Sequence, residues 1–124
     1  MKKKFSLKAR LNSFRNAFRG IAVMLSEEHN VWIHCFAAVL VIAFGFIFHI
    51  SRTEWMAVVF AIGSVLGAEA LNTAVERLSD AVQPNQDERI RRVKDLSAGA
   101  VLIFAIAAAV VGLIIFLPKW FPLG

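Results

Sequence analysis

Charge is missing from three long stretches of this chain: residues 29–51, 55–68 and 96–118 contain no Lys, Arg, Asp or Glu. Absences of that length exclude an ordinary soluble surface. Cysteine occurs once, at Cys35, so an intramolecular disulfide is excluded and the thiol is read as a packing group. Neither a Walker-type glycine-rich loop nor a kinase catalytic-loop signature is present, which excludes those two ways of holding a nucleotide. No small-residue cleavage site follows the first apolar stretch, which is longer than a signal-peptide core, so a cleaved signal is not expected. Repeats, low-complexity tracts and linkers are also lacking, so residues 1–124 are read as a single membrane domain.

What is present is apolar. Hydrophobic residues make up 58% of the 124 positions, and the mean hydropathy is +0.64. The first and third uncharged stretches are each 23 residues, long enough to span a bilayer as a helix. The middle one is 14 residues and reaches spanning length only by running on through Glu69. The fold class expected is therefore all-α integral membrane, with transmembrane helices over 31–51, 55–80 and 95–117. The net charge of +5 is concentrated before the first span (Lys2, Lys3, Lys4, Lys8, Arg10, Arg15, Arg19) and between the second and third (Arg77, Arg89, Arg91, Arg92, Lys94). The positive-inside rule then places the N-terminus and the second connection in the cytoplasm. Anionic headgroups account for this basic balance, and no nucleic-acid partner is expected.

Ahead of the spans, Leu7, Leu11, Phe14, Phe18, Ile21 and Leu25 recur every three or four residues, with Lys8, Arg15 and Arg19 directed away from them. That pattern predicts an amphipathic helix over 5–27, lying along the interface. Glu27, Glu28, His29 and Asn30 mark the turn into the membrane, while His34 and His49 are read as interfacial or interhelical hydrogen-bond groups. Trp32, Trp55 and Trp120 fall at predicted interfaces and fit an aromatic belt. Gly63 and Gly67, four apart, would allow a close helix approach. Pro84 ends the second span's helix, and Lys94-Asp95 stands at the threshold of the third.

The chemistry concentrates on the second span. At about 100° per residue, Glu69, Thr73, Glu76 and Asp80 share one helix face within roughly 60°, with Asn72 at its edge. Ionisable groups so deep in an apolar helix mark a pathway or a site. Carboxylates that hold a divalent cation and cations that hold phosphate are the parts phosphoryl transfer needs. Glu69 and Glu76 lie about 10 Å apart along the axis, too far to share one metal ion in the ordinary way. The spacing suits a proton acceptor at depth and a metal–phosphate site above it.

The run Glu69-Ala70-Leu71-Asn72-Thr73-Ala74-Val75-Glu76-Arg77 with Asp80, then Lys94-Asp95-Leu96-Ser97-Ala98-Gly99-Ala100, resembles the signature of the prokaryotic diacylglycerol kinase family, which includes undecaprenol kinases. Glu28-His29-Asn30 with Ile33-His34, and residues 13–20, are similar to its N-terminal pattern, so the resemblance covers roughly residues 10–118. It implies a homotrimeric helical bundle in the bacterial inner membrane, with active sites at subunit interfaces and ATP plus Mg²⁺ phosphorylating a lipid hydroxyl. On that resemblance Glu69 is the general base, and Glu28 and Glu76 hold the Mg²⁺. Asn72, Asp80, Lys94 and Asp95 build the polar site, with Lys94 on the phosphates and Arg10 near nucleotide and headgroup. The lipid is undecaprenol or diacylglycerol; the Ala70, Thr73 and Arg77 form of the motif resembles the undecaprenol kinase branch. Two other classes stand beside this reading, a small proton-coupled multidrug-type transporter and a non-catalytic membrane subunit. Neither needs Glu28, Glu76, Asp80, Lys94 and Asp95 massed on one side.

Overall fold

The computed structural model describes residues 4–121. Lys2 and Lys3 of the basic N-terminal cluster, and Pro122 and Gly124 of the tail, lie outside the described residues. Four helices follow one another: α1 (Leu7–Glu27), α2 (His29–Ile47), α3 (Arg52–Val82) and α4 (Glu88–Trp120). No strand occurs among the described residues. The last three helices are each long and apolar enough to cross a membrane. At 1.5 Å per residue the 33 residues of α4 extend about 50 Å, against a hydrocarbon core of about 30 Å, so its charged Glu88 end projects beyond the apolar zone.

Helix α1 starts at Ser6, whose Oγ accepts the Ala9 N–H at 3.3 Å. Its stripe of Leu7, Leu11, Phe14, Phe18, Ile21 and Leu25 is exposed along its whole length. The described residues supply that stripe with no apolar cover, which is the condition of a helix lying in a membrane interface. Glu28 then adopts an extended conformation (φ −104°, ψ 111°) and breaks the helix. The break frees the Leu25 carbonyl, and the indole N–H of Trp32 donates to it.

Helix α2 ends in a Schellman arrangement. The Ile50 N–H donates to the Gly45 carbonyl at 3.1 Å and the His49 N–H to the Phe46 carbonyl at 3.3 Å. His49 occupies the left-handed position (φ 53°), where glycine is usual. Ser51 and Glu54 then form a capping box that starts α3, and Glu54 Oε2 accepts from Lys119 Nζ of α4 at 2.8 Å. Around these caps Ile50, Val58 and Ile115 are buried, and the rings of Phe44, Phe48, Phe116 and Trp120 stand 5.7–6.3 Å apart. Trp55 is half-buried, its ring packed so closely on Gly45 that a Cβ there would lie 2.6 Å from it. This is the aromatic end of the bundle.

Helices α3 and α4 form the principal pairing; α2 packs more lightly on α3, and α1 touches α2 and α3. Nothing lies within 4 Å of a Cβ built on Gly63 or Gly67, so the close approach those glycines allow is not made among the described residues.

Candidate active site

The opposite end of the bundle holds the polar residues, and α3 carries most of them. Along it Val58, Val65, Ala68, Glu69, Asn72, Thr73 and Ser79 are buried, while Ala70, Leu71, Ala74 and Leu78 face outward. One helical face is therefore apolar at the aromatic end and polar at the charged end, with no break in the helix.

Glu69 is the deepest member, 5% exposed. Its Oε1 lies 3.1 Å from Nε2 of His34, on the second turn of the antiparallel helix α2. One turn on, Asn72 is 9% exposed, and its Nδ2 donates to Glu76 Oε1 at 3.2 Å. The other amide atom, Asn72 Oδ1, is buried without a hydrogen-bond partner among the described residues. Such a group costs about 1–3 kcal/mol unless something supplies a donor or a cation. Farther along, Arg77 Nη2 reaches back to Glu27 Oε2 at 2.6 Å and Glu28 Oε1 at 3.4 Å, tying α3 to the α1–α2 junction. Last, Asp80 pairs with Lys94 of α4.

Asp80 and Lys94 open onto a cleft of about 520 Å³ formed by the α3–α4 connection, together with Gln83, Asn85, Asp87 and Arg91. Asp87 caps α4 by accepting the Arg89 N–H at 2.8 Å, and the Arg89 guanidinium also binds it. The guanidinium first, and the backbone bonds after it, hold the Asp87 carboxyl well below the usual range, at about 2.

The expected residues thus fall at three levels: Glu69 at depth, Asn72 with Glu76 in the middle, and Asp80 with Lys94 at the rim. Among the described residues Glu28 pairs with Arg77 and has no hydrogen bond or ion pair to Asn72 or Glu76. Asp95 is exposed beside Lys94, and Arg10 is exposed on α1, without an ion pair to the α3 residues among those described. Sequence reasoning left His34 a general hydrogen-bond group; its partner is set by the register of α2 on α3, which no residue pattern encodes.

No cluster of three or more His, Cys, Asp and Glu residues that could hold a metal occurs among the described residues. Mg²⁺ does not require one, since it takes one or two carboxylates and fills its shell with water and substrate phosphates. Glu76 and the orphaned Asn72 Oδ1 are hard oxygen donors one turn apart, and they fit such an ion.

A second cavity, about 200 Å³, lies between α2, α3 and α4 on the aromatic side of Glu69. Its walls are Ala, Val, Leu, Ile and Gly, and His34 is its one polar lining residue. An apolar chain fits that lining and a phosphate does not.

Comparison with known proteins adds three findings. Residues 15–116 match the profile of the family described as prokaryotic diacylglycerol kinase. An undecaprenol kinase of Bacillus subtilis (strain 168) is 39% identical over 107 residues, covering 86% of this chain and 87% of that protein. A diacylglycerol kinase of Synechocystis sp. (strain ATCC 27184 / PCC 6803 / Kazusa) is 36% identical over 109 residues, covering 87% of this chain and 62% of that longer protein.

Proposed function

The chain belongs to the prokaryotic diacylglycerol kinase family, and on that premise we propose that it is a membrane lipid kinase that moves the γ-phosphoryl group of ATP onto the hydroxyl of undecaprenol. The observation that carries this reading is a buried carboxylate, Glu69, set between an apolar cavity and the Asn72–Glu76 pair. A lipid tail and a phosphate chain need opposite environments, and Glu69 stands at their boundary. Undecaprenol is preferred to diacylglycerol because the relative bearing the undecaprenol kinase name matches along nearly its full length.

The hydroxyl of the bound lipid gives its proton to a Glu69 carboxylate oxygen while its own oxygen attacks the γ-phosphorus. The bond from that phosphorus to the β–γ bridging oxygen breaks, and ADP leaves. Lys94, now paired with Asp80, turns toward the phosphates when they enter the cleft, and the fixed charge of Asp80 keeps it close. Asp95, and Arg10 from the surface helix, complete the cationic and polar rim around nucleotide and headgroup. Glu76 and Asn72, with Glu28, would hold Mg²⁺, which when bound neutralises charge on the phosphates. The broad exposure of α2 and α4, and the open flanks at Gly63 and Gly67, support a trimer whose neighbouring subunit closes the site. The basic residues on α1 and the α3–α4 connection support a cytoplasmic N-terminus in a bacterial inner membrane.

The test is purified protein in mixed micelles with labelled ATP, Mg²⁺ and a lipid panel. Label is expected in undecaprenol; label only in diacylglycerol overturns the substrate, and label in neither overturns the kinase. Glu69→Gln is expected to lower turnover by about 10²–10⁴-fold without loss of fold.

A further inference from the structure

Glu69 has one side-chain partner among the described residues, His34, at 3.1 Å through Oε1. Its second oxygen, Oε2, carries no hydrogen bond there. His34 also lines the apolar cavity, and among the described residues it is the only polar one in its wall. One imidazole therefore touches both the carboxylate and the space in which a lipid tail fits. A glutamate has three rotatable bonds, so a carboxylate bonded at one oxygen presents the other in a set direction and an unbonded one does not. Proton transfer needs that direction, because a displacement of about 1 Å can cost on the order of 10²-fold in rate.

We propose that His34 is a positioning residue: its Nε2–H donates to Glu69 Oε1 and holds Oε2 toward the hydroxyl of a lipid whose tail occupies the cavity. The inference rests on Glu69 being the base. His34 acts through Glu69 and takes no proton itself, so what it supplies is an N–H at that point in space. Glutamine offers an amide N–H at similar reach, asparagine falls one methylene short, and leucine offers none.

The experiment measures kcat and KM for ATP and for undecaprenol in mixed micelles, for His34→Leu, His34→Gln and His34→Asn, each alone and combined with Glu69→Gln. His34→Leu and His34→Asn are expected to lower kcat by about 10–100-fold with both KM values within about twofold of wild type. His34→Gln is expected to restore most of the loss. In the Glu69→Gln background, none of the three should reduce the residual rate further. Wild-type kcat in His34→Leu or His34→Asn overturns the inference, as does a His34→Gln no better than His34→Asn, or additive losses on Glu69→Gln. Should His34→Leu not fold, the two amide variants decide alone, since they differ by one methylene. An active Glu69→Gln removes the base itself; an inactive Glu69→Gln with wild-type kcat in the His34 variants removes only this inference.

Discussion

The two ends of α3 are built on opposite terms. At the aromatic end its polar groups are satisfied: Ser51 and Glu54 cap each other, Glu54 holds Lys119, and the carbonyls ending α2 are closed by His49 and Ile50. Apolar side chains fill the remaining space there. At the charged end the same helix buries Glu69, Asn72, Thr73 and Ser79, and leaves Asn72 Oδ1 without a partner. The first arrangement lowers the energy of the chain by itself. The second is complete only when something else arrives, and unsatisfied groups of that kind belong where ligands bind. The contrast separates residues that satisfy one another within the bundle from residues left open to a ligand.

Glu76→Gln should break the contrast most sharply at the charged end. It removes one negative charge from the middle level and keeps a carbonyl that can still accept from Asn72 Nδ2. The Mg²⁺ concentration for half-maximal phosphorylation should rise about tenfold or more, since changes close to a metal site cost 10–100-fold in affinity. The thermal midpoint in the same micelles should stay where it is. An unchanged Mg²⁺ requirement would take Glu76 out of the metal site.

Gly45→Val is the counterpart at the aromatic end. A Cβ there meets Trp55 at 2.6 and 2.8 Å and Ile50 Cδ1 at 3.2 Å, so the half-buried ring and the buried Ile50 must both shift to admit it. Overpacking of this kind costs about 1–3 kcal/mol. The variant should melt at lower temperature with altered Trp fluorescence, while kcat per folded molecule remains close to wild type. A loss of kcat without a loss of stability would show that the two ends are not separable.

The sequence carried the periodic features and not the register. The 3.6-residue repeat put Glu69, Thr73 and Glu76 on one face, and in the structure Glu69 and Thr73 are buried and Glu76 half-buried on that face. Asp80 shares their angle yet is exposed, while Ser79 beside it is buried, because the side on which a neighbouring helix lies at that level is not encoded by an angle. The amphipathic stripe of α1 was likewise legible, its composition being its only determinant. The His34–Glu69 contact was not, since it depends on how two antiparallel helices slide past each other across 35 residues of chain. Nor was the Schellman turn, because His49 takes a left-handed position for which sequence reasoning looks to glycine. The apolar part of α4 was visible from Leu96 onward, but the helix starts at Glu88, where Asp87 supplies the cap.

That cap gives the smallest effect and the finest division between the two ends. Asp87 lies at the charged end, yet it is satisfied in the manner of the aromatic end, by Arg89 and the backbone of α4. Its carboxyl sits at about 2 in the folded chain against an ordinary 3.8. A depressed folded value means that the carboxylate contributes stability above the unfolded value and loses it as pH falls through the folded one. Thermal midpoints of wild type and Asp87→Asn in the same micelles should therefore differ by a small, constant amount above pH 4 and converge as the pH approaches 2. Turnover at neutral pH should be nearly unchanged, because the carboxylate's hydrogen bonds go to the α4 backbone and the Arg89 guanidinium and not to Asp80 or Lys94. A gap that stays constant from pH 5 to pH 2 would mean that Asp87 is not the titrating group. A loss of turnover at neutral pH without a shift in midpoint would move Asp87 from the scaffold to the function of the α3–α4 cleft that it borders.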